Sequence, residues 1–176
     1  MKSIFASLSI LFLLVSCNQP SAENYFDRTT LNSNKLVGFG SADFDRYAQL
    51  QETGQLFKLT NGEMEKTDKI SEHITTYIIP DIEKNIEQIE ELKPTEETEE
   101  MIVKSLRLFN YVKNIYETEY LTIANMMDNG EEVDEINEAL SLMNSVTFTK
   151  FSVLLEELWE VALPYAEANG IEVKTY

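Results

Sequence analysis

The chemistry this 176-residue chain could perform rests on one thiol, one imidazole and a group of aromatic side chains. The thiol is Cys17, the only cysteine, which closes the run Leu14-Val15-Ser16-Cys17 behind an apolar stretch from Ile4 to Val15. A chain with a single cysteine cannot use it in an intramolecular disulfide. The imidazole is His73. A ferritin-like di-metal site needs Glu-x-x-His on two helices, and the residue three before His73 is Ile70, so that reading fails. A calcium loop at Asp128-Asn129-Gly130-Glu131-Glu132 would need an oxygen ligand at position 127, where Met127 stands. Gly38-Phe39-Gly40 lacks the third glycine of a dinucleotide fingerprint, and no Gly-x-Ser-x-Gly elbow occurs. Glu90-Glu91 and Glu156-Glu157 are neighbours in sequence, so on a helix their carboxylates diverge. These residues point to no catalytic, cofactor or metal site, and the expected protein is not an enzyme.

Phe109, Tyr116, Tyr120, Phe151 and Trp159 crowd the C-terminal half of the chain. Large apolar area is what a small helical core needs, so most of these side chains are expected inside. The alternative is a pocket between the last two helices for a small apolar or aromatic ligand. The hydroxyls of Tyr111, Tyr116 and Tyr120 would then stand at its rim.

The N-terminal segment has one basic residue, Lys2, and then about a dozen apolar residues, too few for a membrane span of about 20. Leu14-Val15-Ser16-Cys17 resembles the lipobox of bacterial lipoproteins. The resemblance implies a signal peptide over residues 1–16 and cleavage between Ser16 and Cys17. It further implies a diacylglyceryl group on Cys17 and acylation, for instance by palmitate, of the new N-terminus. Asn18 is not the aspartate that retains enterobacterial lipoproteins in the inner membrane, which favours the outer membrane. Two or more acyl chains, at about 0.8 kcal/mol per buried CH₂, hold a protein stably on a bilayer. The remaining domain is similar in general character to small helical lipoproteins of uncharacterised role, without a motif that lends it an activity.

Beyond the signal segment the chain keeps 13 Lys and Arg against 31 Asp and Glu. Such a surface repels nucleic acid and anionic lipid. Residues 17–40 read as a lipidated tether, with Pro20, Ser21 and Gly38-Phe39-Gly40 as breaks, although Tyr25, Phe26, Leu36 and Phe39 suggest that part of it packs on the domain. Residues 41–176 read as an acidic helical domain. A helix capped by Ser41 or Asp43 is expected to run to Gly54. Residues 55–66 fit helix or hairpin, and a helix stopping at Asn61-Gly62 is favoured. The next helix should start near Glu63, carry a stripe from Ile70 to Ile89, and kink or break at Pro80. A third, capped at Thr95, carries Ile102 to Met127 and stops at Asp128-Asn129-Gly130. A fourth carries Val133 to Tyr165 and stops near Asn169-Gly170.

The expected architecture is all-α, an up-and-down bundle of three to four long antiparallel helices. The expected function is that of a membrane-anchored, non-enzymatic interaction module of the cell envelope, bound to the membrane through its lipid and to an envelope protein. A ligand-binding bundle is the alternative.

Overall fold

The structure is a computed structural model that describes residues 20–30, 33, 36 and 38–173. The Leu14–Cys17 motif and its cleavage site lie outside the described residues. The fold is mostly helical: α1 (Ala22–Thr30), α2 (Ser41–Glu52), α3 (Ile70–His73), α4 (Ile79–Glu90), α5 (Glu99–Ile115), α6 (Leu121–Asn129) and α7 (Val133–Ala168), with a two-stranded antiparallel sheet of β1 (Phe57–Thr60) and β2 (Glu63–Lys66). A turn of π-helix, Ile74–Ile78, joins α3 to α4, and another, Tyr116–Tyr120, joins α5 to α6, so each pair runs on as one rod.

Most of the apolar stripe residues read from the sequence are buried, but Tyr77 and Val133, expected on the stripes, are 38% and 68% exposed. Ile70, Ile74, Ile82, Ile86 and Ile89 of the first rod meet Leu108, Phe109, Val112 and Ile123 of the second. Phe151, Leu154, Leu158 and Ala162 of α7 close the core from the other side. Helix α1, within the stretch read as a tether, buries Tyr25 and Phe26 and lies against α4, α5 and α7. Its hold is also polar: Tyr25 Oη donates to Lys93 O at 2.6 Å, Arg28 to Gln88 O at 3.1 Å, and Ser105 Oγ to Thr29 O at 2.8 Å.

Several local expectations are corrected. The segment expected to be a helix ending at Asn61-Gly62 is instead a hairpin, with Phe57 opposite Lys66 and Thr60 opposite Glu63. Asn61 and Gly62 both have positive φ, 52° and 84°, the geometry of the two-residue turn whose twist matches paired strands. The helix expected from Glu63 therefore begins only at Ile70. The interruption expected at Pro80 takes the form of the π-turn Ile74–Ile78, after which α4 begins at Ile79 with Pro80 in its first turn. The π-turn lets the Ile79 N–H reach Ile74 O, five residues back, and this wider ring accommodates a residue without an N–H of its own. Helix α5 starts at Glu99, after a turn in which Thr95 and Thr98 bond each other, so Thr95 is not its cap residue. Neither Ser41 nor Asp43 caps α2: Gly40 occupies that position at φ 109°, and Asp43 points inward.

The remaining stops fall where expected. Gly130 ends α6 in the left-handed conformation, φ 69°, with Glu131 N–H returning to Met126 O. Gly170 does the same after α7, with Ile171 N–H on Ala166 O. Asp128 has a further task. Its carboxylate accepts the Ile70 and Ser71 N–H groups at 2.8 and 2.9 Å and the Ser71 hydroxyl at 2.6 Å, capping α3 from the far end of another rod.

Candidate functional site

Four of the five aromatic residues expected to line a ligand pocket, Phe109, Tyr116, Tyr120 and Phe151, are buried in the core. What fills the space among them is the chain's own Phe39. Its ring stacks on Phe151 at 4.5 Å and on Tyr120 at 5.7 Å, and lies 6.4 Å from Tyr116. Trp159 stands apart, half-buried and edge-on to Phe26 of α1 at 6.3 Å. The tyrosine hydroxyls face inward instead of forming a rim. Tyr116 Oη donates to Asp43 Oδ2 at 2.6 Å, and Tyr120 Oη lies 3.1 Å from the same oxygen. Tyr120 Oη also accepts the Gly40 N–H at 2.5 Å. Tyr111, the third expected rim residue, is half-buried and donates to Thr147 O at 3.0 Å.

Asp43 is thus a carboxylate only 2% exposed, satisfied by two phenols and, at 2.8 Å, by the half-exposed Arg46. Burial is the main reason that all three nearby phenols resist ionisation, and the Asp43 charge adds to it: Tyr47 is pushed up to about 12, and Tyr116 and Tyr120 well above the ordinary tyrosine value. For Tyr116 the neighbouring phenols Tyr47 and Tyr120 contribute ahead of Asp43. The Tyr47 hydroxyl is enclosed near Tyr116 and Arg46 without a hydrogen bond of good geometry to either. A site that needs to move protons at neutral pH would hold groups poised near 7, and these phenols are driven the other way. The arrangement ties the 38–40 segment and α2 to the rod of α5 and α6. Asp43 was visible in the sequence only as a possible cap. The Arg46 three residues on was the one hint of an ionic partner.

His73 is likewise absorbed by the structure. Its side chain is 3% exposed, its Nδ1 lies 2.7 Å from Phe57 O of β1, and its ring sits edge-on to Phe57 and Tyr47. Burial lowers its pKa, so the imidazole is neutral and the Nδ1–H tautomer donates to the strand. Together with Leu59 N–H on Thr76 Oγ1 at 2.9 Å and the Lys58–Glu72 pair, it clips the hairpin to the helix. Among the described residues no three His, Cys, Asp or Glu side chains are placed to hold a metal ion.

Two concave surfaces stand out among the described residues. A shallow polar depression of about 530 Å³ lies beside the hairpin, between Lys58, Lys66, Asp68 and Glu72. A narrower groove of about 370 Å³ runs between the second π-turn and α6 on one side and α7 on the other. Its lining is mainly apolar, from Ile123, Ala139, Leu142, Met143 and Val146, and is completed by Thr118, Thr122, Thr147 and Glu119. Leu142 and Val146 are 64% and 66% exposed, and they stand four residues apart on one face of α7. Val153, also exposed, continues that stripe seven residues on from Val146. The groove does lie between the last two long helical rods, but its residues are not the aromatic ones. Among the described residues no helix is long and apolar enough to cross a membrane. Comparison with protein-family models, with curated proteins and with solved structures gives no match.

Proposed function

We propose that this chain is a lipid-anchored protein of the bacterial envelope, favouring the outer membrane. In this reading its helical body is a non-enzymatic interaction module, an up-and-down arrangement of three long rods. The anchoring half of the reading rests on Leu14-Val15-Ser16-Cys17, with Cys17 as the lipidated residue and cleavage after Ser16. The interaction half rests on one observation: the mainly apolar groove flanked by Leu142 and Val146, two of the large apolar side chains left open to solvent on this acidic chain. Exposed apolar area that is contiguous and grooved marks a surface that another molecule covers. The volume of the groove, about 370 Å³, also falls within the range of small-ligand sites, and binding of a small apolar molecule there is the second reading.

Two measurements test this together. Cys17→Ser should move the protein from the membrane to the soluble fraction, and retention on the membrane would refute the anchor. A photo-crosslinking residue at position 142 or 146 should give a discrete protein adduct in intact cells, while one at exposed Glu87 on α4 should not. Absence of an adduct at 142 and 146, with a small apolar molecule co-purifying instead, would favour the second reading.

A further inference from the structure

From the charge around this groove we infer its partner's chemistry: a cationic amphipathic helix, laying apolar residues onto Leu142 and Val146 and lysines or arginines among the carboxylates around them. The inference rests on the interaction reading above. The 36 residues from Asn114 to Thr149, which supply the whole groove, contain eight Asp and Glu and no Lys, Arg or His. The cations at either end of that stretch are engaged. Lys113 bridges Glu83 and Glu117, and Lys150 sits over the Tyr111 ring at 4.7 Å. Asp128 is used as the cap of α3. Six carboxylates are left, Glu119, Glu131, Glu132, Asp134, Glu135 and Glu138, and none is in an ion pair among the described residues.

Position matters as much as number. Glu138 and Glu135 precede Leu142 by four and seven residues, so they share its face of α7, and Glu119 stands on the opposite bank of the groove. The apolar floor is therefore bordered by negative charge from both helical walls. Leu142 and Val146 form an i, i+4 ridge, the spacing a second helix meets with its own i, i+4 residues. Charge disfavours two other occupants. A second copy would bring the same eight carboxylates against these, and an anionic lipid surface would be repelled in the same way.

The test uses the full lipidated chain in phosphatidylcholine nanodiscs, with empty nanodiscs as the blank. The probes are synthetic helices with leucine at every third and fourth position and either lysine, glutamine or glutamate elsewhere. The lysine helix should bind, the glutamate helix should not, and raising the salt from low to molar strength should weaken binding by about tenfold or more. Leu142→Ser with Val146→Ser should weaken it by about tenfold, since both side chains lie on the surface and their loss leaves the fold intact. Glu135→Gln with Glu138→Gln should weaken it several-fold and flatten the salt dependence. A glutamine helix that binds as tightly as the lysine helix, and is equally sensitive to the serine changes, overturns the cationic partner while leaving the docking face. Lysine-helix binding that ignores the serine changes overturns both. Association of the protein with itself, abolished by the serine changes, overturns the inference in favour of a second copy.

Discussion

Asp43→Ala is the sharpest perturbation of the interior. The wild-type carboxylate accepts two phenolic hydrogen bonds, at 2.6 and 3.1 Å, in a site 2% exposed. Hydrogen bonds to a charged group contribute about 1.5–3 kcal/mol each, so the two together set a scale of roughly 3–6 kcal/mol. The third partner, Arg46, has a side chain 55% exposed. Solvent screening keeps its share below about 1 kcal/mol. Truncation also strands the Tyr116 and Tyr120 hydroxyls in a dry core, although Tyr120 retains its contact with Gly40. The expected loss is about 3–5 kcal/mol, a large part of a typical stability of about 5–15 kcal/mol. Asp43→Asn keeps the volume and one carbonyl acceptor, and should lose about half as much. Urea unfolding followed by circular dichroism and by the fluorescence of the single tryptophan, Trp159, measures both. A cycle with Tyr116→Phe should return a coupling of about 1–3 kcal/mol, because the two residues share one bond. If Asp43→Ala costs under about 1 kcal/mol, or the cycle is additive within about 0.5 kcal/mol, the carboxylate is not the tie described here.

The same phenols should be seen in an alkaline titration. Their pKa values are raised in the folded protein, so folding favours the protonated form, and that contribution is lost as pH rises above the unfolded value of about 10. Absorbance near 295 nm should show Tyr47, Tyr116 and Tyr120 ionising only with unfolding; a single reversible step for all eight tyrosines in folded protein would contradict this. His73 acts at the acid side: its lowered pKa means the unfolded chain binds the proton more readily, so stability should fall as pH drops below about 6.5. In His73→Gln that part of the pH slope should disappear. Asp128→Ala should cost about 1–3 kcal/mol and speed hydrogen exchange at the Ile70 and Ser71 amides, with little change at α7. Gly62→Ala, forced to keep φ 84°, should destabilise by about 1–2 kcal/mol, measured by thermal unfolding.

Helical periodicity made the three rods legible because isoleucine, leucine and aromatic residues at spacings of three and four have few other uses in a water-facing chain. The stops were legible for the same kind of local reason: Gly130 and Gly170 supply a left-handed residue just where the stripes end. The hairpin was not, because Leu56 to Gly62 is too short for period to decide, and Asn-Gly serves both a helix end and a strand turn. What decides is tertiary: Phe57 and Leu59 find partners in His73 and Thr76. Pro80 did mark an interruption of the α-helix, but its form, a π-turn just ahead of the proline, was not legible in the sequence. Of the aromatic residues of the expected pocket, Tyr116, Tyr120 and Phe151 do gather, whereas Trp159 stands apart. They gather around Phe39, some eighty residues away from Tyr120, and nothing in local sequence says that it will occupy their midst. The groove was illegible for a related reason. Leu142 and Val146 lie off the stripe read for this helix, and only the packed structure shows that they stand uncovered beside a groove.

The cap that Asp128 places on α3 also bears on the order in which this chain can become itself. The first turn of the rod that begins at Ile70 is completed by a side chain 58 residues downstream. A chain synthesised from its N-terminus presents Ile70 long before Asp128 arrives. Until then the rod's opening amides have only water, and its start stays frayed. Closure of so long a loop is slow compared with the winding of a helix, but the helical turn that ends at Gly130 sets Asp128 at the correct place when it comes. One acidic residue thus makes the completion of an early segment conditional on a late one, so a chain cut short before residue 128 would display its incompleteness at residue 70.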